Sequence, residues 1–228
     1  MATFVLVHGA WHGSWCWKRV RSALQKQGHE VFTPTLTGIG ERAHLLARTV
    51  DLETQTRDVL NLIRWEELDD IILCGHSYGG MVVTGVADRI PQRIRSLVYL
   101  DAFVPEDGES LEQFAPISAN QLVDDWKCIP ISAEAFGVNP ADRAWVDRQC
   151  TLQSVACFRQ PVQLIGGLAQ VKRVSYIYAS GWAGQHSPFH PFYDKARLRG
   201  WTTHEMDCGH DVVLDRPADV TRLLLDCI

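Results

Sequence analysis

The chain has 228 residues, of which 46% are hydrophobic and 21% charged, and its formal net charge at pH 7 is −5. This composition is typical of a globular protein, and the length suits a single domain, residues 1–228, with a substantial core. The acidic balance argues against nucleic acid or an anionic membrane as principal partner. No apolar stretch approaches the ~20 residues that cross a bilayer, and no signal peptide precedes the first predicted strand. We therefore expect a cytoplasmic protein.

The cysteines and histidines give no sign of a disulfide framework or a metal site. The seven cysteines are odd in number and form no Cys-x-x-Cys pair. In a chain without an export signal, this usage predicts buried, reduced thiols. The nine histidines do not fall into ligand spacing with the cysteines, so we expect neither a metal nor a cofactor.

Apolar runs alternate with helical periodicity along most of the chain. The predicted strands span residues 3–7, 30–33, 71–74, 94–100, 173–179 and 202–206. The predicted helices span residues 15–27, 52–65, the segment from the turn at 77 to about 89, and 217–227. This alternation predicts an α/β fold with a mostly parallel sheet of about six strands, flanked by helices, and with ligands beyond the strands' carboxyl ends. The stretch 106–172 breaks the alternation, and we interpret it as a helical cap inserted after the fourth strand.

The most informative stretch is residues 71–83, where an apolar strand pattern runs into Gly75-His76-Ser77-Tyr78-Gly79 and then a helical pattern. A strand–turn–helix elbow of the form Gly-x-Ser-x-Gly holds its serine in a strained conformation, with the hydroxyl aimed out of the sheet. The bare pattern also arises by chance, but the flanking strand and helix make coincidence a poor explanation. Ser77 is therefore the candidate nucleophile.

A serine hydroxyl needs an adjacent base, and that base needs an orienting carboxylate. His210 follows the last predicted strand, where proteins with this elbow carry the histidine. The loop at residues 180–188, where the acid usually lies, contains no carboxylate. Asp101, at the end of the strand after the elbow helix, is the preferred acid; its alternative role is a helix or turn cap. Asp194 is the other carboxylate considered.

The oxyanion formed by attack on a carbonyl needs backbone donors placed in advance. One predicted donor is the N–H of Tyr78, which follows the nucleophile. The second is the N–H of Ala10, in the loop after the first strand, where Gly9 allows the backbone to approach the substrate. Pocket walls are expected from aromatic residues of the loops and the cap, each of which is alternatively an ordinary core residue: Trp11, Phe103, Trp126, Trp145 and Trp182.

Four segments together resemble the α/β-hydrolase fold, and more narrowly the branch of plant methylesterases and hydroxynitrile lyases with their bacterial esterase relatives. These segments are residues 7–13, the elbow, residues 97–105 and residues 208–211. The nearest pattern is that of carbendazim-hydrolysing esterases, which cleave a methyl carbamate. The resemblance implies an ester hydrolase whose small-molecule substrate is an aryl or alkyl ester, or a carbamate.

The sequence departs from this branch in ways that bear on function. The acid after the penultimate strand is missing, although some haloalkane dehalogenases resemble this chain in carrying the acid where Asp101 stands. The lyases of the branch have Thr where Gly9 stands and Lys where Asp211 stands, which disfavours C–C lyase chemistry. A receptor-like binding protein with weak hydrolysis is a further alternative function. The oligomeric state stays open, and a homodimer formed through the cap is one alternative.

Overall fold

The structure is a computed structural model that describes residues 1–183 and 186–228. Residues 184 and 185, in the predicted loop 180–188, lie outside the described residues. In chain order the strands of the described part are β1 (Thr3–Val7), β2 (Glu30–Phe32), β3 (Ile71–His76), β4 (Ile94–Leu100), β5 (Leu122–Val123), β6 (Lys127–Cys128), β7 (Gln153–Ser154), β8 (Val174–Ala179) and β9 (Thr202–Met206).

The α-helices of the described residues are α1 (Lys18–Lys26), α2 (Leu52–Trp65), α3 (Gly79–Arg89), α4 (Leu111–Phe114), α5 (Pro140–Gln149), α6 (Ala156–Arg159), α7 (His190–Leu198), α8 (Val212–Asp215) and α9 (Pro217–Leu225). Short 3₁₀ turns lie at Ser14–Trp17, Gly40–Leu45, Pro91–Arg93, Ala119–Gln121 and Gly167–Gln170. None of the helices in the described residues is long and apolar enough to cross a membrane.

Six strands form the main sheet in the order β2-β1-β3-β4-β8-β9, with every neighbouring pair parallel. Strand β1 shows why helices cover both faces: Val5 and Val7 belong to one apolar cluster, and Phe4 and Leu6 to the other. Side chains alternate between the faces of a strand, so an unbroken apolar run needs a core on each side. Helices α2 and α3 pack on the first face, and α1 and α9 on the second.

The structure confirms the predicted α/β-hydrolase fold and its six-stranded parallel sheet. The observed strands also lie close to the predicted ones: β1, β4 and β9 match their predicted bounds, and β3 runs on to His76. All seven cysteines are free thiols.

The segment between β4 and β8, here called the insertion (residues 106–172), carries short elements. It contains α4, α5 and α6, as predicted for a helical segment, and also the antiparallel sheet β5-β6-β7. Each of these three strands has two residues, too few for the alternation by which a strand is recognised in sequence. The small sheet was therefore not predicted.

Candidate active site

Ser77 lies at the sharp turn between β3 and α3, with a φ of +54°. A side chain in this left-handed region is strained and persists only where its surroundings hold it. Here strand and helix pass too closely for larger residues: a Cβ at Gly75 would lie 2.6 Å from the Gly79 carbonyl oxygen, and one at Gly80 2.1 Å from the Phe103 carbonyl oxygen. The two glycines therefore permit the approach that exposes the Ser77 hydroxyl at the sheet edge.

His210 and Asp101 meet although 109 residues separate them in the chain: Nδ1 of the histidine lies 2.6 Å from Oδ2 of the aspartate. Both side chains are almost fully buried. Burial raises the pKa of Asp101, while its contact with His210 and the Ala179 N–H opposes this rise. With Nδ1–H donating to the carboxylate, the other ring nitrogen of His210 is left for a different partner.

Backbone hydrogen bonds tie the elbow to the segment that carries Asp101. The Ser77 N–H donates to the Leu100 carbonyl oxygen (3.2 Å), and the Phe103 N–H donates to the Ser77 carbonyl oxygen (3.2 Å). Asp101, with a φ of +41°, stands between these two contacts. The other predicted acid, Asp194, lies on α7 with about half its side chain exposed and pairs with His190 (3.4 Å). The structure thus brings Asp101, and not Asp194, to His210.

The loop after β1 passes directly against the elbow. A Cβ placed on Gly9 would lie 3.0 Å from the Cβ of Ser77, so only glycine lets the loop lie this close without a shift. Ala10 and Tyr78 both line the same cavity as Ser77. Trp11 follows in the left-handed region, with a φ of +63°. The two residues predicted to supply oxyanion donors are therefore brought to one site.

A buried ion pair lies behind this loop. His12 approaches the Ala10 carbonyl oxygen through Nδ1 (2.7 Å) and Oδ2 of Asp211 through Nε2 (3.3 Å). Burial lowers the pKa of His12, but the Asp211 carboxylate outweighs it, so the pKa is raised well above 6.5. Both ring nitrogens of the imidazolium then donate hydrogen bonds. Asp211 thus pairs with His12, which no pattern in the sequence indicated.

Two further histidines near the elbow are neutral because burial dominates their titration. Burial lowers the pKa of His76 to about 3 and that of His8 to about 4. The Nε2–H of His76 donates to the His210 carbonyl oxygen (2.9 Å). His76 therefore supports the backbone of His210, 134 residues away in the chain.

A cavity of about 230 Å³ lies over Ser77. Three of the predicted wall residues, Trp11, Phe103 and Trp182, line it together with His210, whereas Gly9 lies behind Ser77. The other described residues that line the cavity were not predicted, and they are Leu111, Ala115, Pro116, Ile117, Gln121, Cys128, Ile131, Ala135, Phe136, Phe158, Pro188 and Phe189.

Trp126 and Trp145 were expected in the pocket walls, but neither is among the described residues that line this cavity. The ring of Trp126 lies under Lys127, 4.8 Å from its ammonium nitrogen. Trp145, on α5, packs edge-on against Trp15 with ring centroids 5.0 Å apart. Both rings are half-buried on other surfaces of the insertion. Abundance of tryptophan in a segment shows that it has apolar surface to cover, but not which surface that is.

Metal chemistry finds no support in the part of the chain that is described. Residues 1–183 and 186–228 hold no group of three or more His, Cys, Asp or Glu side chains placed to bind a metal ion. The expectation of an enzyme without a cofactor stays a prediction.

Comparison with known proteins places this chain in a family. Residues 4–223 match the model of the alpha/beta hydrolase family. The carbendazim hydrolyzing esterase of Nocardioides sp. (strain SG-4G) is 50% identical to the chain, and the alignment covers 98% of each protein. Methylesterase 8 of Arabidopsis thaliana is 31% identical over 54% of this chain and 46% of its own length.

Among solved structures, an extracellular alpha/beta-hydrolase from a Paenibacillus species superposes with a TM-score of 0.87 at 27% identity. The match covers 100% of this chain and 99% of that one, which is described as sharing structural and functional homology with tobacco Salicylic Acid Binding Protein 2. These similarities confirm the predicted resemblance and the class of ester hydrolases that it implies. The chain belongs to the alpha/beta hydrolase family.

Proposed function

We propose that this ester hydrolase is a serine hydrolase that works through an acyl-enzyme on Ser77, with His210 as base and Asp101 as its orienting acid. The observation that carries the proposal is the buried 2.6 Å contact between His210 Nδ1 and Asp101 Oδ2, at a cavity lined by both Ser77 and His210. A carboxylate on Nδ1 holds the imidazole in the tautomer whose Nε2 accepts a proton.

The proposed reaction has two stages. His210 takes the Ser77 proton as Oγ attacks the ester carbonyl, and the resulting tetrahedral oxyanion accepts hydrogen bonds from the N–H groups of Ala10 and Tyr78. The carbonyl reforms as the alcohol leaves with the proton from His210, which gives the acyl-enzyme. A water molecule, deprotonated by His210, then releases the acid and restores Ser77.

The cavity favours an uncharged, apolar substrate. No Asp, Glu, Lys or Arg is among the described residues that line it, and its walls include Phe103, Phe136, Phe158 and Trp182. Burying a charge without a partner there would be costly, whereas an aromatic group would gain contact with the rings. Together with the 50% identity to a carbendazim hydrolyzing esterase, this supports an aryl ester, an alkyl ester or a methyl carbamate as substrate.

Lyase chemistry is not favoured by the surroundings of His210. A lysine at position 211 would offer a cation to a leaving cyanide, but Asp211 stands there and pairs with His12. The positive charge of His12 is paired with the carboxylate of Asp211, which is fully buried beside it. Among the described residues, no Lys or Arg lines the cavity to hold an anionic leaving group.

The proposal is tested by screening aryl esters, methyl esters and methyl carbamates with the wild-type protein and Ser77→Ala. We expect Ser77-dependent turnover of at least one class and irreversible inactivation by a serine-directed aryl phosphonate. Ser154→Ala is the matched control, since Ser154 is also buried but does not line the cavity. Binding of esters without turnover would favour the receptor-like alternative, and turnover that survives in Ser77→Ala would overturn the proposed nucleophile.

A further inference from the structure

The backbone at Trp11 is held from outside its own loop. A tryptophan at a φ of +63° is strained, and such a conformation persists only where neighbouring groups over-determine it. Trp11 immediately follows Ala10, the proposed oxyanion donor. The groups that hold Trp11 therefore act one peptide away from the Ala10 N–H, on the carbonyl side of Ala10.

Two of these groups come from the insertion. The Trp11 N–H donates to Oε1 of Gln153 (2.8 Å), and the Trp11 carbonyl oxygen accepts from the Thr151 N–H (3.0 Å). The carbonyl oxygen on the other side of the Ala10–Trp11 peptide accepts from His12 (2.7 Å). This peptide is thus fixed at both of its polar groups, by His12 from the β1 loop and by Gln153 from β7.

Gln153 also connects this peptide to the side chain of Tyr78, the residue whose N–H is the second proposed donor. Its Nε2 donates to Oε1 of Gln55 (3.4 Å), and the same oxygen accepts from the Tyr78 hydroxyl (2.7 Å). Nε2 of Gln55 donates to the Thr37 carbonyl oxygen (2.9 Å). The donors and acceptors match along the whole chain of contacts, so each amide has one orientation that satisfies it.

Both glutamine side chains are fully buried, with none of their surface exposed. A buried amide is costly unless it is hydrogen-bonded. The two amides therefore stabilise the fold only while Trp11 and Tyr78 hold their observed positions. A network with this property resists displacement of either loop.

We propose that Gln153, acting with Gln55, is a positioning residue that aligns the two oxyanion donors. The inference rests on the proposed function, since it assigns an alignment role to donors that only acyl transfer would use. The insertion would then contribute to the chemical step as well as to the pocket walls. Small misplacements of preorganised donors have large effects on rate.

The experiment compares Gln153→Met, which has similar volume but no amide, with the wild-type protein. We expect kcat for an aryl ester to fall about tenfold to a hundredfold, because the donors lose alignment, with KM changed less than about threefold. Gln55→Met is expected to act in the same direction. Gln163→Met, at an exposed glutamine of the insertion, is the control and should match the wild-type protein.

Inhibitor binding separates alignment from general loss of structure. An aryl trifluoromethyl ketone adds the Ser77 oxygen to its carbonyl and forms an oxyanion, with the serine proton passing to His210, whereas the corresponding carbinol forms none. Gln153→Met should weaken the ketone by the same factor as kcat and leave the carbinol unchanged. Because this ratio does not depend on the folded fraction, it remains valid for a destabilised variant. Gln55→Met, for which the same result is expected, serves if Gln153→Met does not fold.

Equal weakening of ketone and carbinol, or unchanged kcat, would overturn the positioning role. The Ser77→Ala and Gln153→Met measurements also distinguish a failure of the positioning role from a failure of the proposed function. If Ser77→Ala abolishes turnover while Gln153→Met behaves as wild type, only the positioning role is wrong. If turnover or ketone binding does not depend on Ser77, the proposed function itself is wrong.

Discussion

The carboxyl edge of the main sheet and the insertion contribute different things to the same cavity. Strands β1, β3, β4 and β9 lead into the segments that carry Ala10, Ser77, Asp101 and His210. Of these strands, β1, β3 and β4 are largely buried and have up to seven residues. The insertion contributes apolar walls from elements of two to ten residues, many of them partly exposed. Groups that need fixed geometry therefore lie on the rigid sheet, and groups that set substrate fit lie on the more variable segment.

Gln153 is an exception to this division of roles, since it belongs to the insertion but holds the loop after β1. The comparison therefore predicts large rate effects for residues at the sheet edge, and selectivity effects for the pocket-facing residues around it. The substitutions below at Asp101, Gly80 and Trp182 are each paired with a control in the other region or on another surface.

The largest effect is expected at the carboxylate that follows β4. Asp101→Asn should lower kcat about ten-thousandfold, because an amide no longer holds the imidazole of His210 in the tautomer that accepts the serine proton. Asp194→Asn, on α7, should leave kcat within about twofold, which steady-state kinetics on one aryl ester would measure. Full activity of Asp101→Asn together with loss of activity in Asp194→Asn would show that the acid was assigned wrongly.

The next effect contrasts a glycine of the sheet region with one of the insertion. Gly80→Ala should lower the free energy of unfolding by about 3 kcal/mol or more, since its Cβ would lie 2.1 Å from a backbone oxygen. Gly166→Ala has free space around it and a φ of +91°, so only backbone strain of about 1–2 kcal/mol opposes it. Urea unfolding measures both, and equal losses would contradict the contrast.

Acid should destabilise the sheet edge through its buried neutral histidines. The pKa of His8 is lowered to about 4 and that of His76 to about 3, so below pH 6.5 the unfolded chain binds protons that the folded chain does not. The stability that each histidine contributes is present above pH 6.5 and falls as pH drops, by about 2 kcal/mol between pH 6.5 and 5. In His76→Gln the free energy of unfolding should fall less between pH 6.5 and 5 than in the wild-type protein, because the contribution of His76 is gone. Urea unfolding at the two pH values measures this difference.

The smallest effect is expected at the pocket wall. Trp182→Ala should lower the ratio of kcat/KM for a phenyl ester over that for an ethyl ester about tenfold, because aromatic contact is lost. The ratio cancels any change in the chemistry that both esters share. Trp126→Ala and Trp145→Ala should leave this ratio of kcat/KM values unchanged, since neither ring lines the cavity. A similar fall in either variant would show that its tryptophan does contact the substrate.

The sequence by itself determined the sheet and the elbow, because these depend on local patterns. Apolar runs, the glycines around Ser77 and the helix that follows are all read within a short window, and the observed β1, β4 and α2 begin and end where those patterns place them. His210 was predicted from its place after the last strand, where proteins with this elbow carry the histidine. The helical part of the insertion was predicted from composition, but its three two-residue strands were not.

Only the tertiary structure decided which groups meet. His12 pairs with a carboxylate 199 residues away, and Trp11 with an amide 142 residues away. For His210 the sequence favoured Asp101 and left Asp194 open, and the structure brings only Asp101 of the two to the histidine. Such contacts leave no mark on the local sequence, because the hydrophobic pattern sets which face of an element is buried but not which distant side chain lies opposite. For the same reason Phe136 entered the cavity while Trp126 did not: both are aromatic residues of one segment, and only the packing of that segment over the sheet separates them.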